Sequence, residues 1–126
     1  MHMSTTQAAQ PEWTPRGAIH RLAVYGSLAP GRPNHHQLSD LSGRWTDGTV
    51  CGRLLEEGWG SELGYPGIVL DVEGRPVRVQ LFESPELQNH WGRLDAFEGS
   101  GYRRTTTMVN TAEGDLQASI YVLASR

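Results

Sequence analysis

Apolar residues along this chain fall in short runs separated by glycine and proline breaks, a pattern of short strands and turns more than of long helices. Residues 21–25 (Arg-Leu-Ala-Val-Tyr) read as a buried first strand, bounded by Gly26 and the breaker cluster Pro30, Gly31, Arg32 and Pro33. Residues 34–41 predict a short helix with Leu38 and Leu41 facing inward. Residues 43–55, interrupted by glycines, predict a bent or bulged strand. Residues 68–72 and 77–82 are short apolar strands around Glu73-Gly74-Arg75-Pro76, which predicts a hairpin.

The clearest helix begins at Ser84-Pro85, with serine as N-cap and proline in the first helical position. Leu87, Trp91 and Leu94 follow at i, i+4 and i+7, and Gly99 stops it. Residues 102–110 are threonine-rich, and Leu116, Ala118, Ile120 and Val122 alternate on one face. With Ala112-Glu113-Gly114-Asp115 as the turn, the two segments predict a second hairpin. No repeat of about 20–50 residues occurs, which excludes a solenoid or propeller. The architecture expected is mixed α/β of the α+β kind, with strands bent enough to favour a small barrel over an open parallel sheet.

Residues 1–18 carry neither period and include Pro11 and Pro15, so they are expected to form a flexible leader to a domain over 19–126, with Trp13 the residue there suited to docking. A chain of 126 residues suits one domain. The 11 basic residues, all arginine, are interleaved with 14 acidic ones for a net charge of −3, which leaves no footprint for nucleic acid or an anionic membrane and points to a small ligand. The single cysteine, Cys51, cannot form an internal disulfide. It is expected as a buried thiol in a reducing compartment, with the cytoplasm as default. No apolar run approaches the roughly 20 residues of a membrane span, and no secretory signal is present.

Candidate chemistry starts at Tyr25-Gly26-Ser27-Leu28, where a strand ends in glycine. Successive N–H groups in such a turn can converge on a carboxylate or oxyanion, although the same string also fits a strand that merely ends. Ser27 lacks the flanking glycines of a hydrolase elbow. A phosphate-binding loop is excluded because the chain has no lysine. Residues 58–64 have one residue too many for a dinucleotide fingerprint, and His35 and His36 have no companions at metal-ligand spacing. Glu98 lies at the exit of the predicted helix, three residues after Asp95. A helix C-terminus, a neighbouring carboxylate and burial beside Phe97 would all raise its pKa toward that of a general acid/base, whereas an exposed position would make it a solvated helix end. Asp95 and Glu98 sit side by side on one helix face and so do not suit a glycosidase pair.

Taken in order, Val24 to Leu28, Pro33-Asn34-His35-His36, Gly64-Tyr65-Pro66-Gly67-Ile68, Leu94-Asp95-Ala96-Phe97-Glu98-Gly99 and Tyr102-Arg103-Arg104 resemble the landmarks of the gamma-glutamylcyclotransferase-like (AIG2-like) family over residues 22–123. The resemblance implies a small β-barrel with flanking helices. It also implies that Tyr25, Gly26, Ser27 and Leu28 bind a gamma-glutamyl group, that Glu98 is the catalytic acid/base, and that Tyr102 lines the pocket or packs in the barrel. The implied reaction closes 5-oxoproline from a gamma-glutamyl amine or gamma-glutamyl amino acid and needs neither metal nor organic cofactor. The partner it implies is a small-molecule gamma-glutamyl substrate, and a non-catalytic ligand-binding or regulatory module of the same fold is the alternative.

Overall fold

The computed structural model describes residues 16–25, 35–55 and 67–124. A 3-10 turn, η1 (Gly17–His20), leads into strand β1 (Arg21–Val24), and a short helix, α1 (His36–Ser39), precedes the long strand β2 (Arg44–Leu55). Strands β3 (Gly67–Leu70) and β4 (Arg75–Glu83) follow, then a 3-10 segment η2 (Pro85–Asn89), helix α2 (Trp91–Glu98) and the hairpin β5 (Tyr102–Thr111) and β6 (Gly114–Leu123).

The described strands form a sheet in the order β3-β2-β4-β1-β6-β5, in which β1 and β6 run parallel and the other pairs antiparallel. Strand β2 also pairs with β5, Gly48 opposite Thr111 and Thr49 opposite Asn110, so the sheet closes on itself as a small mixed β-barrel with few helices. Closure there depends on a missing side chain. A Cβ on Gly48 would stand 2.6 Å from Val109 Cγ1 and 2.9 Å from the Asn110 carbonyl oxygen.

Alternation along the strands divides the core in two. Ala23, Val79, Leu81, Val109 and Ile120 fill the barrel interior. Leu22, Val24, Phe82 and Tyr121 point outward into a second cluster roofed by Leu38, Leu87, Trp91 and Leu94. The predicted inward face of β6 belongs to the barrel, and Tyr121 occupies the opposite face. Leu38 and Leu41 are buried as the helical reading of residues 34–41 requires.

Three expectations are corrected. The strands flanking Gly74 do not form a hairpin: β3 and β4 both pair with β2, on opposite edges. The connection turns at Asp71, whose carbonyl and side chain accept from the N–H groups of Gly74 (2.8 Å) and Glu73 (2.9 Å), and crosses β2 at Gly52. A Cβ on Gly74 would lie within 2.9 Å of the Gly52 backbone, so two glycines in contact permit the crossing. Arg75 and Pro76 belong to β4, and Val72 is exposed in the turn.

Second, the helix expected from Ser84 is not continuous. Ser84 does cap it, its Oγ accepting from Glu86 N at 3.1 Å, but the first five residues wind as a 3-10 segment that breaks at His90 (φ −122°, ψ 2°) before α2 begins. Leu87, Trp91 and Leu94 still reach one cluster, because burial selects the face and tolerates the break. Third, Cys51 is exposed: with Val50 and Gly52 turned to the interior of β2, alternation sends the thiol outward. Ahead of β1, η1 is docked by hydrogen bonds from Ser119 Oγ to Ala18 O (2.8 Å) and from Trp91 Nε1 to Ile19 O (3.1 Å). The described residues ahead of β1 are thus tied to β6 and to α2.

Candidate active site

Helix α2 lies across the outer face of the barrel with Leu94 buried, and Glu98 is its last residue. Gly99 stops it with φ 81°, its N–H donating to Asp95 O at 3.1 Å. This sharp exit leaves Glu98 half-buried. Burial first, and the negative charge of Asp95 second, push its carboxyl up to about 7, where protonated and ionised forms coexist near neutral pH.

Asp95 itself stays ionised. Arg104 on β5 donates to it through Nε (2.8 Å) and a terminal nitrogen (3.2 Å), and the Tyr121 hydroxyl on β6 donates at 2.6 Å. Arg104 before all else, with Tyr121 assisting, holds the Asp95 carboxyl below the usual range against a smaller opposing effect of burial. The guanidinium also lies 4.6 Å over the Trp91 ring, one turn back on the same helix. Asp95 thus fastens the end of α2 to two strands and supplies a fixed charge beside Glu98.

Tyr25 connects the other side. Its hydroxyl donates to Tyr121 O at 2.6 Å and accepts from Ile68 N at 3.2 Å, tying the end of β1 to β6 and β3. Its phenol is raised well above the ordinary value, chiefly by burial and further by the charges of Glu98 and Tyr102, so it stays a hydrogen-bond donor at neutral pH. The three side chains are therefore electrostatic neighbours, with Tyr102 packed at the start of β5 against the outer cluster. Burial, the bond to Asp95 and the charge of Glu98 likewise push the Tyr121 phenol up.

Of the residues expected to act, Glu98, Tyr25 and Tyr102 are thus brought together. Gly26, Ser27 and Leu28, which continue directly from Tyr25, lie outside the described residues, as do Trp13, Trp59, Tyr65 and Pro66. His35 lies against Trp45 with the rings tilted by 47° and their centroids 5.6 Å apart, and Trp45 packs on Phe82, which assigns that tryptophan to the outer cluster. Among the described residues no group of three or more His, Cys, Asp or Glu is placed to hold a metal ion, and no helix is long and apolar enough to cross a membrane. Sequence reasoning missed Arg104 and Tyr121. The alternation that turns Ile120 inward also turns Tyr121 outward, but the β5–β6 register that sets Arg104 opposite Tyr121 is a property of the paired strands.

The sequence profile of gamma-glutamyl cyclotransferases, AIG2-like, matches residues 22–126. The chain belongs to this family. Among solved structures it is similar to the AIG2-like protein A2LD1 of Mus musculus, with 25% identity and a TM-score of 0.67 over 86% of this chain and 80% of that one. It is also similar to YkqA of Bacillus subtilis, with 28% identity and a TM-score of 0.64, over 82% of this chain but only 35% of the YkqA chain. At5g39720.1 of Arabidopsis thaliana, at 24% identity and a TM-score of 0.60 over 84% of this chain and 69% of that one, shares the fold. No curated protein sequence matches significantly.

Proposed function

We propose that this AIG2-like chain is a cyclotransferase that releases 5-oxoproline from a gamma-glutamyl amine or gamma-glutamyl amino acid, with Glu98 as its acid/base. The observation that carries this reading is the Glu98 carboxyl: raised to about 7, it stands at the end of α2 in electrostatic reach of Tyr25, where the 25–28 segment begins. A group poised near neutrality can accept and return a proton within one turnover.

In the proposed reaction Glu98 takes a proton from the substrate's alpha-ammonium. The freed amine attacks the gamma-carbonyl carbon, a five-membered C–N ring bond forms, and the amide C–N bond to the leaving group breaks. Glu98 returns the proton to the departing nitrogen and then relays to it the second proton that the ring nitrogen sheds, so the lactam is neutral, the amine departs as an ammonium ion, the carboxylate is regenerated and no external reactant is consumed. The backbone N–H groups of residues 25–28 would hold the alpha-carboxylate and fold the substrate into an attack geometry, so that proximity supplies a large share of the rate. Tyr102 would border the same site.

The test is 5-oxoproline release from a panel of gamma-glutamyl amino acids and amines, by the wild-type chain and by Glu98→Gln. Turnover by the wild type and its loss in a folded variant are expected. Unchanged turnover in the variant overturns the role of Glu98, and binding without product by the wild type makes the chain a ligand-binding module.

A further inference from the structure

A cavity of about 700 Å3 lies on the same outer face of the barrel, lined by Val24 and Tyr25 at one end and by Asp47, Thr49, Arg78 and Gln80 beyond. Strand register relates it to Glu98. One residue on from the Ala23–Ile120 pair, Val24 stands beside Tyr121; Val24 is opposite Gln80, and Gln80 opposite Asp47. These four side chains form a row across β6, β1, β4 and β2. It starts at Tyr121, within reach of the Glu98 charge, and runs into the cavity. Arg78 is two residues further along β4, opposite Thr49. With neighbouring strands about 4.8 Å apart and about 3.4 Å per residue, Arg78 and Asp47 both lie roughly 8–10 Å from Val24.

Asp47 and Arg78 carry opposite charges on one face at diagonal positions, yet among the described residues neither forms an ion pair or a side-chain hydrogen bond. At about 7–8 Å between diagonal positions, a ligand can be taken between them. Gln80 and Thr49 add neutral donors and acceptors to the same wall. A small aliphatic amine would leave both charges unmatched and most of the volume empty. Two peptide residues span about 7 Å, which suits the distance from a scissile bond held near Val24 and Tyr25 to Arg78.

We propose that this trough is the subsite for the departing half of the substrate and takes a short peptide, its C-terminal carboxylate on Arg78 and its last amide N–H on Asp47. The assignment rests on the cyclotransferase reading above and names the leaving group that reading leaves open. Arg78 is the specificity-determining residue, because a guanidinium matches a carboxylate with two parallel hydrogen bonds and finds no such partner on an amide.

The test compares gamma-glutamyl-glycylglycine, the same compound with a C-terminal amide, and a gamma-glutamyl alkylamine, with the wild type, Arg78→Gln and Arg78→Lys. The wild type should prefer the free carboxylate, and the kcat/KM ratio of acid to amide should fall about 10- to 100-fold in Arg78→Gln, with partial recovery in Arg78→Lys. A ratio unaltered by Arg78→Gln, or a wild type that favours the alkylamine, overturns the subsite. A second arm needs no turnover: glycylglycine is titrated into isotope-labelled protein. Amide shifts at Thr49 and Gln80 that disappear in Arg78→Gln are expected, and shifts confined to other strands, or none, overturn the proposal. A wild type that turns over none of the three compounds yet shows those shifts overturns the cyclotransferase reading and leaves a peptide-binding trough.

Discussion

Glu98→Gln should make the fold more stable at pH 8 and leave it almost unchanged at pH 4. In the native chain the Glu98 carboxyl is raised from 4.5 to about 7, by burial first and Asp95 second. Below pH 4.5 the group is protonated both folded and unfolded, and the shift has no effect on stability. Between pH 4.5 and about 7 the folded chain holds a proton that the unfolded chain has released, so stability falls with rising pH. Above pH 7 the charge must be accommodated in the folded site, which at about 1.4 kcal/mol per tenfold costs up to about 3 kcal/mol. Glutamine keeps the shape and removes the charge, so most of that cost disappears. The assay is urea unfolding of both proteins at pH 4 and pH 8. The difference between the two pH values cancels contributions from groups common to both chains. A gain of about 2–3 kcal/mol at pH 8, or roughly 10 °C in midpoint for a domain of this size, is expected, with less than about 0.5 kcal/mol at pH 4. Equal effects at the two pH values, or a loss at pH 8, would refute the claim that burial and Asp95 destabilise the ionised form. The result is independent of turnover, which the same substitution should abolish.

Three further outcomes are expected. Asp95→Asn removes the charge beside Glu98, so the Glu98 pKa should fall by roughly half to one pH unit, the lower part of the range for charges one helical turn apart, because Arg104 already shares the Asp95 charge. The acid limb of the pH–rate profile, or a carbon-detected titration of Glu98, should move to lower pH, and a limb that moves upward contradicts the argument. Tyr25→Phe deletes the hydroxyl shared by Tyr121 O and Ile68 N and should cost about 1–3 kcal/mol in denaturant unfolding, since it leaves partly buried backbone groups unpaired; a neutral substitution would show that the hydroxyl does not tie the strands together. Gly74→Ala places a Cβ within 2.9 Å of the Gly52 backbone and should destabilise by roughly 1–3 kcal/mol, whereas Gly92→Ala, with nothing within 4 Å of the added carbon, should not destabilise.

The sequence by itself determined the positions of most strands, the Ser84 cap, the Gly99 stop, the barrel class and Glu98 at a helix end. These follow from local signals: alternation buries Ala118, Ile120 and Val122 together, and a serine–proline pair satisfies or removes the first donors of a helix wherever it stands. Local signals failed where partners lie far apart in the chain. The 68–72 and 77–82 runs look like a hairpin until β2 is inserted between them, and the glycine contact that permits this joins positions 52 and 74. Cys51 looks buried until the phase of β2 is fixed by Val50 facing the interior. Glu98 was legible as a residue but not as a site. A solvated helix end became a half-buried acid only because Leu94 docks α2 on the barrel, Arg104 and Tyr121 bind Asp95 from two other strands, and β1 delivers Tyr25 beside them. Burial and charge proximity are sums over residues distant in sequence, and only the tertiary structure performs them.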